Sequence, residues 1–425
     1  MIISRREFIR NGASVVALGG TVPAMLMNLA YARAMENDPS TKDKILVVFE
    51  LNGGNDGINT VIPINDPNYA LARPTLAIPK NDVLMLDDWA GLHPSMQPLH
   101  ELFKEKQLAV VQGVGYPNAN RSHFKSMEIW HRGDPGGEFN TGWLGRWYER
   151  EKMEKNQSVV PIVHYGQSRP MMFKSGRAPS ISINSIDDFY PKNGKPESVA
   201  ISKLYKDLKT GGGEMPKMMD EMGHGPDGTS ALSADEVIMS TGQDIVKGTE
   251  LIKKIIKNPR TPKVAYPQGR VGQGMAVFAQ MIVENSGTKL FYISLGGFDT
   301  HANQANNHGN LLAGFSGAIA AFLGDLKAEG RDKDVMVMGF SEFGRRVKEN
   351  GSAGTDHGAA SVMFFAGGDV KGGVYGKYPS LEKLDDGDLR YNVDFRDCYA
   401  TVLENFLGTD SARILPKGRE KLGFI

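Results

Sequence analysis

A single cysteine and a formal net charge of zero are the first features of this 425-residue chain. The lone thiol, Cys398, excludes an internal disulfide in any compartment. It lies in "DFRDCYATVLENFLG", where Tyr399, Val402, Leu403 and Phe406 form a helical stripe, so it reads as an inert helix residue. The 49 Lys and Arg residues are balanced by 49 Asp and Glu residues, leaving no electrostatic footprint for nucleic acid or an anionic membrane. No sequence period recurs, which excludes solenoids and collagen despite 50 glycines. What the chain does have is 40% hydrophobic residues over a length sufficient for one large α/β domain or two smaller ones.

The N-terminus differs from the rest. "SRREFIRNGASVVALGG" pairs Arg5 with Arg6, and a mild apolar stretch runs from Ala13 to Met27. Gly19, Gly20 and Pro23 interrupt it, and it is too short to span a bilayer. Small residues around Ala32 and Ala34 offer cleavage sites. Residues 1–34 therefore read as a twin-arginine signal peptide, which makes the export machinery a partner and the periplasm or exterior the destination. That route carries folded proteins, often with a metal or cofactor already loaded. No cysteine in the leader is available for a lipid, so no stable membrane anchor is expected.

Apolar runs rich in β-branched residues predict strands at 44–51, 108–114, 159–165, 181–186, 289–295, 335–340 and 361–367. Most lack alternation, as strands covered on both faces do. Helical stripes lie between them, for example Leu312, Phe315, Ile319, Phe322 and Leu326. The expected fold is α/β: a doubly wound, mostly parallel sheet with helices on both faces, forming one domain over 35–425. The unpatterned, Gly- and Met-rich segment 209–233 reads as a flexible excursion with a solvated His224.

Ligands of such sheets bind beyond the carboxyl ends of the strands, and polar clusters gather at several predicted strand ends. "FELNGGNDGINT" offers Asn52 and Asp56 as oxygen ligands, although an Asx-rich turn has the same composition. In "NRSHFKSMEIW", Ser122 precedes a helix, where it fits an N-cap and equally a nucleophile beside the positive helix terminus; Arg121 and His123 suit anion contact. "GGFDTH" sets Asp299 and His301 at alternate positions, hence on one side of an extended backbone, with His308 as a spare. "SEFGRR" contributes Glu342 and Arg345, and "GTDHG" contributes Asp356 and His357. Carboxylate with imidazole suits zinc, manganese or iron, and carboxylate with carbonyl suits magnesium or calcium.

Together the leader, "LNGGNDGINTVIP", "NRSHF", "LGGFDTH", "SEFGRR", "GTDHG" and "DFRDCYATVL" resemble the exported bacterial family known as domain of unknown function 1501. That family is similar in turn to the alkaline phosphatase and sulfatase superfamily. The resemblance implies a divalent-metal site built from Asp299, His301 and His357, with Glu342, Asp56, Asn52 and Asp356 as further ligands. It implies Ser122 as nucleophile, with Arg121 or Arg345 countering developing charge. Asn52 stands where the superfamily has an aspartate, and Glu342 lacks an adjacent histidine, which weakens a second metal position. The expected activity is periplasmic hydrolysis of a phosphate or sulfate ester of a small molecule or glycan; the alternative is a non-catalytic metal- or glycan-binding protein.

The leader carries a test. Mature protein should begin near Arg33 or Met35, and Arg5→Lys combined with Arg6→Lys should trap the precursor in the cytoplasm. Fractionation showing undiminished export of the double variant would remove the twin-arginine reading.

Overall fold

Strand β1 (Ile45–Asn52) sits in the middle of the sheet, and its apolar run is buried from Ile45 to Leu51. In this computed structural model residues 44–154, 160–166, 168–175, 180–183, 248, 251–416 and 419–425 are described. The 1–34 leader and the 209–233 excursion lie outside them. Lys44–Ile425 forms one compact unit.

A small three-stranded sheet comprises β2 (Val61–Ile62), β3 (Leu84–Met85) and β4 (Gly91–Leu92). The main sheet adds β5 (Leu108–Gly115), β6 (Ile162–Tyr165), β7 (Ser180–Ile183), β8 (Leu290–Gly296), β9 (Val335–Phe340), β10 (Ser361–Gly367), β11 (Gly373–Tyr375) and β12 (Val393–Asp394). Its order is β11-β5-β10-β9-β1-β8-β6-β7, with β12 also pairing β5. Strand β1 runs parallel to both neighbours, in register Asn52↔Gly296 with β8 and Glu50↔Phe340 with β9. Only β10 runs against its neighbours. The sheet is thus mostly parallel, as the unbroken apolar runs predict.

Alternate residues of β1 feed opposite faces. Val47, Phe49 and Leu51 join one core with Phe291 and Phe315. Helices α1 (Gln97–Lys104), α4 (Arg270–Val283) and α5 (Gln304–Ala328) cover that side through Leu99, Phe278 and Phe322. Leu46 and Val48 join the other core, covered by α2 (His123–Arg132), α3 (Trp143–Glu154) and α6 (Phe395–Thr401). Helix α5 is long and apolar enough to cross a membrane, yet Leu312, Phe315, Ile319, Phe322 and Leu326 are buried against the sheet. Cys398 is a free, buried thiol in α6, and burial pushes it well above its usual pKa, consistent with an inert helix residue.

The topology selects one edge for chemistry. β1, β5, β8 and β9 all end there, and because β10 is antiparallel its first residue starts there. The segment before β10 therefore meets the segments after β1 and β8. Gly53 makes that meeting close. Its φ of +118° suits glycine, and an added Cβ would lie 2.5 Å from the Asp299 backbone nitrogen. Gly53→Ala should destabilise the fold by about 1–3 kcal/mol, read as a lower chemical-denaturation midpoint; an unchanged midpoint would show that this turn tolerates a side chain.

Candidate metal centre

Asp299 and His301 leave the end of β8 on the same side, with His301 Nε2 3.0 Å from Asp299 Oδ1. His357, arriving ahead of β10, places its Nε2 3.0 Å from the same oxygen and 3.0 Å from His301 Nε2. A fourth side chain comes from the first turn of α2: His123 Nε2 lies 3.6 Å from Asp299 Oδ2. Ligand atoms of His123, Asp299 and His357 all fall within 4.8 Å of one another.

Each imidazole is oriented through its other nitrogen. His357 Nδ1 donates to the Arg121 carbonyl at 2.9 Å, since a carbonyl only accepts. His123 Nδ1 lies 2.8 Å from Glu342 Oε1, and that hydrogen bond raises the His123 pKa against partial desolvation. His301 Nδ1 lies 3.3 Å from Asp356 Oδ1, a carboxylate held below its usual pKa chiefly by Asn350. His123, Asp299 and His357 form a donor set suited to a divalent cation, and His301 Nε2 borders it within 3.0 Å of Asp299 and His357.

The remaining predicted site residues take other parts. Glu342 is buried and accepts from the Gly53 amide at 2.9 Å, from Ser341 Oγ at 3.0 Å and from His123, and so orients the His123 ring. Asp356 does the same for His301. Asp56 is fully buried, caps the helical turn Gly57–Thr60, and pairs with Arg73. Burial alone would raise its pKa, and the Arg73 charge and hydrogen bond bring it below the usual value. It faces away from the histidines into this ion pair, which corrects its assignment as a ligand. Asn52 is exposed and donates to Glu50 Oε1 at 2.7 Å, so it too stands apart from the cluster. His308 is buried with Nε2 2.9 Å from Asn55 Oδ1, and burial lowers its pKa to about 4.

Neither arginine is poised for an anion. Arg121 bonds Asp388 at 2.8 Å and contacts Asp386. Arg345 is buried, with Nε donating to the Gly54 carbonyl at 2.6 Å and Nη1 to that of Thr355 at 2.8 Å. Its Nη2 reaches the carbonyls of Gly53 and Phe298 and, at 2.7 Å, Asp299 Oδ1. Partial burial would raise the Asp299 carboxyl, but hydrogen bonds from Arg345 and His357 outweigh it and hold the pKa at about 2. Ser122 precedes α2 in extended conformation, yet its side chain makes no cap hydrogen bond. Ser122 thus holds the N-cap position, its carbonyl accepting from Ser126 N at 2.8 Å, while its own amide donates to Asn120 Oδ1 at 2.9 Å and the residue is exposed.

His123, expected from the sequence as an anion contact, lies within the cluster. Its place directly after Ser122, on the helix that follows β5 to the same sheet edge, was the available signal. Arg345→Lys should lower stability on the order of 3 kcal/mol, since a single ammonium cannot serve the buried carbonyls that the planar fork serves. A denaturation midpoint equal to wild type would show those contacts to be dispensable.

Among curated proteins no match is found. Solved structures with a similar overall course include a protein of the alkaline phosphatase superfamily from Vibrio parahaemolyticus, at 10% identity and TM-score 0.36, covering 88% of this chain and 67% of that one. The PsFucS1 sulfatase from Pseudoalteromonas sp. aligns at 11% identity and TM-score 0.37, over 93% of this chain and 76% of that one. The C-terminal periplasmic domain of EcEptC from Escherichia coli aligns at 10% identity and TM-score 0.37, over 91% and 90%. Likenesses of this size bear on no residue of the centre. The family described as "Protein of unknown function (DUF1501)" matches residues 43–421, nearly the whole described chain, and the chain belongs to that family.

Proposed function

We propose that this chain is an exported, metal-dependent hydrolase of phosphate or sulfate esters, with one divalent ion held by His123, Asp299, His301 and His357. The observation that carries the reading is the convergence of three imidazole Nε2 atoms on Asp299, each ring with its Nδ1 already engaged by an oxygen. Three nitrogen donors favour zinc over magnesium or calcium, which take oxygen. A cation bound there supplies Lewis-acid polarisation of an ester oxygen. The "SRREFIR" leader supports export to the periplasm.

The chain's own residues define the rest. Ser122 Oγ, exposed beside His123 and free of a capping bond, is the nucleophile in this reading. Its oxygen bonds to phosphorus or sulfur as the bond to the alcohol breaks, the serine proton leaving with the alcohol; water then displaces the serine, releasing phosphate or sulfate and restoring the hydroxyl. Arg345 acts indirectly, keeping Asp299 ionised and in place.

One observation favours a second reading, a metal- or glycan-binding protein without turnover: both arginines expected to meet an anionic ester are engaged with carboxylates and carbonyls. The two readings separate in one experiment. Purified mature protein should hold close to one equivalent of zinc or manganese, and His301→Ala should lose it. Affinity should fall as pH drops, because protons compete for the imidazoles. Wild type should hydrolyse 4-nitrophenyl phosphate or sulfate, and Ser122→Ala should abolish turnover with metal content unchanged. Metal without turnover selects the binding reading; no metal in either protein rejects the hydrolase and metal binding alike.

A further inference from the structure

We infer that Gln304, a residue outside the ligand set, is a positioning residue that locks the two ligand-bearing loops together from beneath; the assignment rests on the metal reading above. The same alternation that turns Asp299 and His301 outward turns Thr300 inward, where it is buried. Thr355, just ahead of Asp356 and His357, is also buried. Both hydroxyls donate to a single acceptor: Thr300 Oγ1 to Gln304 Oε1 at 2.9 Å, and Thr355 Oγ1 to the same oxygen at 2.6 Å. Gln304 is itself fully buried, at the first turn of α5.

The amide's orientation is set by chemistry. Its nitrogen donates to Asp56 Oδ2, a carboxylate paired with Arg73 that can only accept, so the amide oxygen must face the threonines. Two further bonds fasten the same junction, Thr355 N to Thr300 O at 3.2 Å and Gln304 N to Ala353 O at 2.9 Å. A chain of contacts thus runs from the rigid Arg73–Asp56 pair through one glutamine to residues flanking three of the four proposed ligands. A donor set is selective only when its loops are held to within a fraction of an ångström. The Gln304 side chain touches both loops and none of the four proposed ligand side chains.

Cobalt(II), whose visible absorption reports ligand geometry, is the probe, used with the mature full chain. Gln304→Met removes both hydrogen-bonding ends at similar volume. We expect its cobalt(II) dissociation constant to rise about 10–100-fold, the usual effect of removing an outer-shell partner, with altered band positions or intensities. Thr300→Val combined with Thr355→Val should produce a similar loss, and adding Gln304→Met to that pair should produce little more, since all three act through one junction. If Gln304→Met fails to fold, Thr355→Val, a hydroxyl-to-methyl exchange, carries the same readout. A lowered melting temperature with unchanged cobalt(II) affinity and spectrum makes Gln304 merely structural and overturns the assignment. A wild-type chain that binds no cobalt(II) overturns the metal reading and this assignment with it.

Discussion

Arg345 is the interaction on which the centre is built. Its guanidinium is buried and reaches four backbone carbonyls and one carboxylate, drawing together the turn after β1, the turn after β8 and the segment before β10. A buried cation is tolerable only with such complete pairing. A planar fork with five donors can achieve it where an ammonium cannot. Because one partner is Asp299, the residue that closes the loops also fixes the charge of the carboxylate at the heart of the cluster.

Around that anchor, polarity is arranged in layers. The outermost layer is the set of imidazole nitrogens and Asp299. Behind it lie Glu342 and the Arg121 carbonyl, engaging the far nitrogens of His123 and His357, while exposed Asp356 engages that of His301. Deeper still, Asp56, Arg73, Gln304 and Asn59 form a buried network in which Arg73 Nη1 also reaches Asn59 Oδ1 at 2.8 Å. Paired charges of this kind contribute little net stability over an apolar core, yet removing one member leaves the other uncompensated. Their effect here is to hold several irregular segments in a single arrangement.

The antiparallel β10 explains why His357 reaches the centre. Had β10 run parallel to β9, the segment ahead of it would lie at the opposite edge of the sheet, about 20 Å away for a strand of this length. One reversed strand in a parallel sheet brings a pre-strand residue to the same place as post-strand residues. The same edge receives the N-terminus of α2, and with it His123.

What was legible in the sequence follows from local physics. Unbroken β-branched runs mark strands covered on both faces, and 3.6-residue stripes mark the covering helices. The alternation in "DTH" places Asp299 and His301 on one side, because side-chain direction in an extended segment depends only on neighbouring residues. Which polar residues meet depends instead on sheet order and strand direction. Asp56 and Glu342 have the composition of ligands, but contacts more than a dozen residues away gave one to Arg73 and the other to His123. Ser122 does sit at the N-cap, but its hydroxyl makes no capping bond. A carboxylate can ligate, orient or pair, and local sequence is the same in all three cases. Only the tertiary structure decides among them, because the partner that fixes each role is distant in the chain.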